Sequence, residues 1–272
     1  FTDFVISRIP GSRGRSAGGE APTVGIIGRL GGLGARPARI GFVSDGDGAL
    51  TAIAAAMKLG RMRQNGDALP GDVIVATHVC PAAPIRPHQP VPFMSSPVDA
   101  ATMNQYEVDD RMEAILAVDT TRGNRILNQR GFALSPVIKE GYILPVPDEM
   151  LSIMSWVTGR LPSVIAITTQ DITPYGNGLD HLNSIFQPSV ATSAPLAGVA
   201  LTAEVPVPGS ATGAVQLADV ESAARFCIEI GKAFGGGECR FYDEDAFALL
   251  RRTYGDMRHL QTVDGRSPNG AS

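Results

Sequence analysis

Residues 48–81 read GALTAIAAAMKLGRMRQNGDALPGDVIVATHVCP, and this stretch decides the fold class. Its first part, residues 48–64, is rich in Ala and places its large apolar side chains on one broad stripe, which predicts a helix. Its second part contains DVIVAT at residues 72–77. That apolar run lacks period-two alternation, as do strands that are covered on both faces. A helix followed by such a strand is the repeating unit of an α/β protein.

The same pattern extends in both directions along the chain. Further strands are predicted at 23–27 (TVGII), 39–43 (RIGFV), 114–118 (AILAV), 163–167 (SVIAI) and 197–202 (AGVALT). A hairpin is predicted from 126–137 and 142–146 with Glu140-Gly141 near its turn, and helices are predicted over 148–158, 219–234 with Asp219 as N-cap, and 243–252. The sequence therefore predicts an α/β fold, a three-layer α/β/α domain with a mostly parallel central sheet.

Composition excludes several classes of protein. The 272 residues include 23 Lys and Arg against 27 Asp and Glu, a formal charge of −4. With 44% hydrophobic and 18% charged residues, the chain is expected to fold and not to be disordered. It has no overall basic character, so no nucleic-acid partner is predicted. No apolar run approaches the roughly 20 residues that a membrane helix needs, so no membrane partner is predicted.

The cysteines and the chain ends suggest a compartment and an organisation. Cys80, Cys227 and Cys239 are few, odd in number and without a CxxC pair, which favours a reducing cytoplasm. No linker-like stretch divides the chain, so one domain is expected over 1–272. The first residue is Phe1, so we expect that an N-terminal segment precedes it, and the small polar residues 264–272 predict a flexible tail. Soluble enzymes are commonly symmetric, which favours a homo-oligomer.

Polar residues follow most of the predicted strands, at the edge where sites gather in open α/β sheets. The Gly-rich run at 28–34 contains Arg29, which either binds a carboxylate or faces solvent; its spacing does not meet GxGxxG. Asp45 and Asp47 directly precede the Ala-rich helix and can ligate a metal or cap the helix. Asp119 ends an apolar run, where a carboxylate needs a metal, an Arg or loop amides, unless it caps a helix.

Two pairs of residues widen this predicted site. His78 and Cys80 stand at the end of the strand quoted above and are metal ligands, a nucleophile beside a His, or packed residues bonded to the backbone. Asp180 and His181 end a turn-rich loop, where such a pair can bind a metal or transfer protons. The Gly/Ser/Thr run at 209–213 either presents N–H groups to an anion or is a plain loop.

Several motifs resemble a bacterial family known as domain of unknown function 1177. They are residues 25–81, 87–99 (PHQPVPFMSSPVD), 119–124 (DTTRGN), 167–178 (ITTQDITPYGNG) and 203–214 (AEVPVPGSATGA). The resemblance spans nearly the whole chain. It identifies a family and implies no particular activity.

The order of elements is also similar to that of cocatalytic zinc aminopeptidases of the deblocking and glutamyl type. The turn at 44–48 is similar to their metal-binding Asp turn, and Asp119 to their strand-end Asp ligand. Arg29 stands about where their first His ligand would be, and residues 78–80 replace their paired glutamates. The resemblance implies a zinc-peptidase-like (phosphorylase/hydrolase-like) fold. It leaves Asp45 and Asp119 as ligands for zinc or manganese, with His78 and the pair Asp180 and His181 as candidate new ligands.

Three functions remain open on the sequence. The first is a hydrolase that acts on a C–N bond of a small, amino-acid-derived or short-peptide substrate; if it binds a divalent metal, that metal would polarise water. The second is a non-catalytic small-molecule-binding relative of zinc peptidases, and the third is a metal-free thiol hydrolase. The candidate residues are His78, Cys80 and His181 for catalysis, Asp45, Asp119 and Asp180 for metal binding, and Arg29, Asp47, Asn124, Asn177, Glu204 and Ser210 for substrate binding.

Overall fold

The computed structural model describes residues 1–29, 31–32, 43–87, 93–121, 123–173, 182–207 and 215–261. The strands are β1 (Asp3–Ile9), β2 (Val24–Gly28), β3 (Val73–Val79), β4 (Ile85–Arg86), β5 (Phe93–Met94), β6 (Ala114–Thr121), β7 (Gly131–Lys139), β8 (Tyr142–Leu144) and β9 (Leu196–Thr202). The α-helices are α1 (Asp47–Gln64), α2 (Ala100–Glu107), α3 (Asp148–Thr158), α4 (Asn183–Phe186), α5 (Leu217–Gly236) and α6 (Glu244–Tyr254). Short 3-10 helices span Arg15–Ala17, Ser44–Gly46, Thr169–Ile172, Gln187–Ala191 and Arg258–Leu260.

Seven strands form one sheet in the order β1-β3-β2-β6-β9-β7-β8. The four central strands β3, β2, β6 and β9 are parallel, which confirms the predicted mostly parallel sheet. The outer strands β1, β7 and β8 pair antiparallel with their neighbours, and β4 and β5 form a separate small hairpin. The central strands thus end at one common edge of the sheet.

Two apolar cores lie on opposite faces of this sheet, so the fold has the three predicted layers. Side chains alternate between them along each strand, as pleating requires: Val75 packs in the core under α1, α3 and α5, and Ala76 in the core beside α4. Because both faces are covered, the central strands carry the uninterrupted apolar runs that the sequence shows. No helix within the described ranges is long and apolar enough to span a lipid bilayer.

The predicted hairpin is present, with shorter strands than expected. Lys139 pairs with Tyr142 across a two-residue turn in which Glu140 (φ 49°) and Gly141 (φ 82°) are both left-handed, as a type I′ turn requires. The Glu140 carboxylate forms ion pairs with Arg251 at 3.4 Å and with Arg258 at 3.0 Å. These contacts hold the strained turn and join it to the last described helices.

Some predicted boundaries differ from the structure. Residues 163–167 do not form a strand; Val164 makes one isolated bridge to Leu134, next to the irregularity of β7 between Leu134 and Val137. The helix predicted from Asp219 begins at Leu217, so Asp219 lies in its first turn and is not the N-cap. The predicted strand at 39–43, apart from its last residue, and the predicted tail at 264–272 lie outside the described residues.

Strand β1 and helix α2 are two of the elements that were not predicted. Strand β1 covers one edge of the sheet and is half exposed, so it lacks the fully apolar run of a central strand. Helix α2 has only eight residues; the Asp99 carboxylate caps it by accepting a hydrogen bond from the Thr102 N–H at 2.7 Å. Both elements adjoin the candidate site described next.

Candidate functional site

Three of the predicted residues stand in one row at the carboxyl edge of the sheet. In the register, Gly28 of β2 is level with Thr77 of β3 and Val118 of β6, so Arg29, His78 and Asp119 follow one step further on. Each lies two residues beyond a side chain of the core beside α4 (Ile27, Ala76 and Ala117). Because side chains alternate, all three point to the same face of the sheet. The structure therefore places these three side chains next to one another along this edge of the sheet.

Arg29 is buried and binds a carboxylate that the sequence analysis did not identify. Its Nε lies 2.9 Å from Oε2 of Glu107 in α2, and the two side chains are 1% and 0% exposed. Its Nη2 also donates to Oδ1 of Asn104 at 2.6 Å. A buried charge of either sign is costly unless it is paired, so each of these ions depends on the other.

His78 completes this buried network. Its Nδ1 lies 2.6 Å from Oε1 of Glu107, and its Nε2 accepts a hydrogen bond from the Gly31 N–H at 3.3 Å. This pattern assigns a neutral imidazole with the proton on Nδ1. Both ring nitrogens are therefore engaged. Cys80, the proposed nucleophile, does not pair with His78; its thiol is buried and donates to the Phe1 carbonyl oxygen at 3.5 Å.

Asp119 occupies the other end of the row, within β6 and 4% exposed. Its Oδ1 accepts from the N–H of Thr120 at 2.6 Å, and its Oδ2 accepts from the hydroxyl of Ser184 at 2.7 Å. Burial raises the pKa of Asp119 to about 7, against the opposing effects of these two hydrogen bonds; nearby Asp45 adds to the rise and Arg29 reduces it. A carboxyl group with this pKa can take up and release a proton near neutral pH.

The start of α1 is fitted closely against the row. A Cβ atom on Gly48 would lie 1.8 Å from the carbonyl oxygen of Arg29 and 2.6 Å from that of Val118, so only glycine fits there. Asp45 lies in the turn just before this helix, and its Oδ2 accepts from the Met94 N–H at 3.3 Å. This packing explains why Asp45 is near enough to influence Asp119.

The remaining predicted residues have other positions. Asp47 is buried in the first turn of α1. The Asn124 side chain accepts from the N–H groups of Ile126 and Leu127 at 2.8 Å and shapes its own loop, and Glu204 is exposed. The predicted residues Asn177, Asp180, His181 and Ser210 lie outside the described residues.

Three residues of this site were missed by the sequence analysis. Asn104 and Glu107 sit three positions apart on α2, a spacing that places two polar side chains on one helix face. The Asp99 cap before them is the signal that could have revealed the helix. Ser184 belongs to the four-residue helix α4, which is too short to show periodicity.

Among the described residues, those at the carboxyl edge of the sheet do not fit a metal centre. Within the described ranges, no group of three or more His, Cys, Asp or Glu side chains is arranged to hold an ion. Glu107 is occupied by Arg29 and His78, and both oxygens of Asp119 accept hydrogen bonds. The positive charge beside Asp119 is instead supplied by a guanidinium.

Comparison with known proteins identifies a family that matches nearly the whole chain. The family described as "Protein of unknown function (DUF1177)" matches residues 1–264. No curated protein matches the sequence.

Two solved structures show distant similarity to this chain. The TET aminopeptidase of the marine sediment archaeon Thaumarchaeota archaeon SCGC AB-539-E09 is 14% identical with a TM-score of 0.42, covering 72% of this chain and 50% of its own. The bottromycin maturation enzyme BotP, solved in complex with Mn, is 18% identical with a TM-score of 0.40, covering 86% and 63%. This chain thus spans about half to three fifths of their lengths. The match over residues 1–264 shows that the chain belongs to the DUF1177 family.

Proposed function

We propose that this protein is a hydrolase that cleaves a C–N bond in a small amino-acid-derived substrate, with Asp119 as the group that transfers protons. The observation that supports the proposal is the buried Asp119 carboxyl, whose pKa is about 7, at the carboxyl edge of a parallel sheet. Amide hydrolysis needs a group that accepts a proton from the nucleophile and returns it to the leaving nitrogen. The C–N bond follows from the resemblance of the sequence to aminopeptidases.

The network of Arg29, Glu107 and His78 acts on Asp119 through the charge of its guanidinium. Its formal charges cancel, since the guanidinium and the Glu107 carboxylate pair and the imidazole is neutral. Arg29 nevertheless lowers the pKa of Asp119, against the larger effect of burial. Arg29 thus adds to the larger effect of the hydrogen bonds from Ser184 and Thr120, which also favour the ionised form of the buried Asp119 carboxyl.

An assay of amine release tests the proposal. Purified protein is incubated with dipeptides, N-acyl amino acids and amino-acid amides, and free amine is measured. The wild-type protein is expected to hydrolyse at least one of these classes, with a rate that rises as Asp119 ionises around pH 7. Asp119→Asn preserves the shape of the side chain and removes its proton transfer, so kcat should fall by about 10²–10⁴-fold.

A matched carboxylate at the opposite edge of the sheet serves as the control. Glu113→Gln changes a side chain that pairs with Arg15, far from the row, and should leave kcat unchanged. Hydrolysis by Asp119→Asn at the wild-type rate would refute the proposed role. Adding zinc or manganese to the same assay tests a metal, whose ligands would have to include residues outside the described ranges, such as Asp180 and His181.

A second candidate is a non-catalytic small-molecule binder. It is favoured by the buried Arg29–Glu107 pair, which stands where the related peptidase pattern has a metal ligand. A thermal-shift screen with the same compounds separates the two functions. A binder is stabilised by a compound that is afterwards recovered chemically unchanged, whereas an enzyme converts it.

A further inference from the structure

Ser184 and Asp119 form a pair in which a hydroxyl group directly contacts a buried carboxyl group. The Ser184 Oγ donates to Oδ2 of Asp119 at 2.7 Å. We infer that Ser184 is a nucleophile whose base is Asp119, so that hydrolysis proceeds through an acyl-enzyme; this inference rests on the proposed function. A nucleophile within hydrogen-bond reach of a base that a third group orients is the recurring arrangement of covalent catalysis.

The nucleophile is more exposed than its base, as this role requires. Ser184 is partly exposed, whereas Asp119 lies behind it and is 4% exposed. A substrate that reaches the sheet edge would therefore meet the hydroxyl group before the carboxyl group. The carboxyl group, shielded from water, can act on the hydroxyl proton without being solvated itself.

Both partners are held in place by their surroundings. The second oxygen of Asp119 accepts from the Thr120 N–H at 2.6 Å, which leaves Oδ2 directed at Ser184. On the other side, Ser184 is followed by Ile185 and Phe186, both 1% exposed in the core of that face of the sheet. The backbone that carries the hydroxyl is thus anchored by the packing of the two residues that follow it.

The chemistry balances with water as the only co-substrate. The Ser184 oxygen bonds to the substrate carbonyl carbon while its proton moves to Oδ2 of Asp119. The C–N bond then breaks as Asp119 returns that proton to the leaving nitrogen, and an ester on Ser184 remains. Water attacks the ester and gives one proton to Asp119, which passes it to the Ser184 oxygen as the C–O bond breaks and the acid leaves.

The chain offers a matched control at the opposite edge of the sheet. There the Ser16 hydroxyl donates to Oδ1 of Asp72 at 2.8 Å, nearly the same contact. Burial raises the pKa of Asp72, but hydrogen bonds from Ser16 and Gly11 outweigh it and leave the pKa below its ordinary value. Asp72 is therefore a weak base, and Ser16 should be unreactive.

Labelling with a fluorophosphonate tests the inference in the intact chain. The expected result is one phosphonyl adduct per wild-type chain, mapped to Ser184 by peptide mass spectrometry. The adduct should be absent in Ser184→Ala, at least tenfold slower to form in Asp119→Asn, and unchanged in Ser16→Ala. An unlabelled wild-type chain, or an adduct that persists in Ser184→Ala, overturns the inference.

A second variant guards against loss of folding in Ser184→Ala. In Ser184→Cys the new thiol should react with iodoacetamide faster than the buried Cys80, Cys227 and Cys239, and this advantage should disappear when Asp119→Asn is added. Equal thiol reactivity at all four positions would count against an activated site.

The amine-release assay separates the two proposals. If Ser184→Ala still hydrolyses a substrate that Asp119→Asn does not, Ser184 is not the nucleophile and the proposed function stands. If Ser184 is labelled but the wild-type protein releases no amine from any compound, the nucleophile stands and the C–N substrate is wrong.

Discussion

The pKa values of the carboxyl groups at the two edges of the central sheet are shifted in opposite directions. At the amino edge, the side-chain hydrogen bond from Arg15 lowers the pKa of Glu113 and that from Arg111 lowers the pKa of Asp109. At the carboxyl edge, burial raises the pKa of Asp119 to about 7. The same side-chain chemistry thus serves two purposes. Carboxylates with a full set of partners stabilise the fold, and a carboxyl with too few partners for its burial is available for proton transfer.

The difference comes from what each edge can supply. The amino edge offers arginines that reach in from the surface, such as Arg15, whose Nε and Nη2 both bind Glu113, at 2.8 and 2.7 Å. At the carboxyl edge the buried guanidinium of Arg29 is already bound to Glu107. Asp119 has only one N–H and one hydroxyl as hydrogen-bond donors among the described residues.

The largest effect is expected for the buried pair at the carboxyl edge. Glu107→Ala leaves the Arg29 guanidinium buried without its carboxylate, so the free energy of unfolding should fall by about 3–5 kcal/mol in urea titrations. The double variant Arg29→Met/Glu107→Leu removes both charges and should recover most of that loss. If Glu107→Ala lowered the free energy of unfolding by less than about 1 kcal/mol, this buried pair would contribute no more than a typical surface ion pair.

A pH effect of intermediate size should come from Asp119. Its folded-state pKa of about 7 exceeds its ordinary value of 3.8, so between pH 5 and 7 the folded chain holds a proton that the unfolded chain has lost. Raising the pH across this window should therefore lower the free energy of unfolding by about 2–3 kcal/mol. Urea titrations at several pH values measure this fall.

Asp119→Asn is the control for that pH effect and should lack it. The amino-edge carboxylates have lowered pKa values, so their contribution to stability is lost only as the pH falls below about 4. Identical slopes for the wild type and Asp119→Asn between pH 5 and 7 would show that Asp119 does not titrate there.

The smallest effect is expected at the amino edge. Arg15 and Glu113 have side chains that are 57% and 35% exposed, so water and salt screen their attraction. Arg15→Ala should therefore lower the free energy of unfolding less than either of the other changes. The loss should shrink further in about 1 M salt. A loss as large as that caused by Glu107→Ala would mean that the two edges are less different than their exposure indicates.

The row at the carboxyl edge could be predicted because the position of each of its residues depends on the short stretch of sequence just before it. Arg29, His78 and Asp119 each end an apolar run, and parallel strands of similar length end at the same edge. Glu107 and Ser184 could not be predicted in this way. They come from short helices whose sequences show no clear period, and only the packing of α2 and α4 on the sheet brings them to the row.

Strand β6 shows the same limit at the level of single residues. Its apolar run ends at Val118, but hydrogen bonding to β9 continues to Thr121, so Asp119 lies inside the strand rather than beyond it. Backbone pairing does not require an apolar side chain, and only the neighbouring strand determines where it stops. The sequence therefore placed the carboxylate correctly along the chain but could not indicate its burial.

The buried guanidinium of Arg29 also determines how the site responds to its surroundings. An arginine supplies a positive charge that is covalently part of the chain. Chelators, dialysis or a poor supply of trace elements cannot remove this positive charge. The positive charge that Arg29 places near Asp119 is therefore encoded in the sequence and does not have to be bound from the surrounding medium.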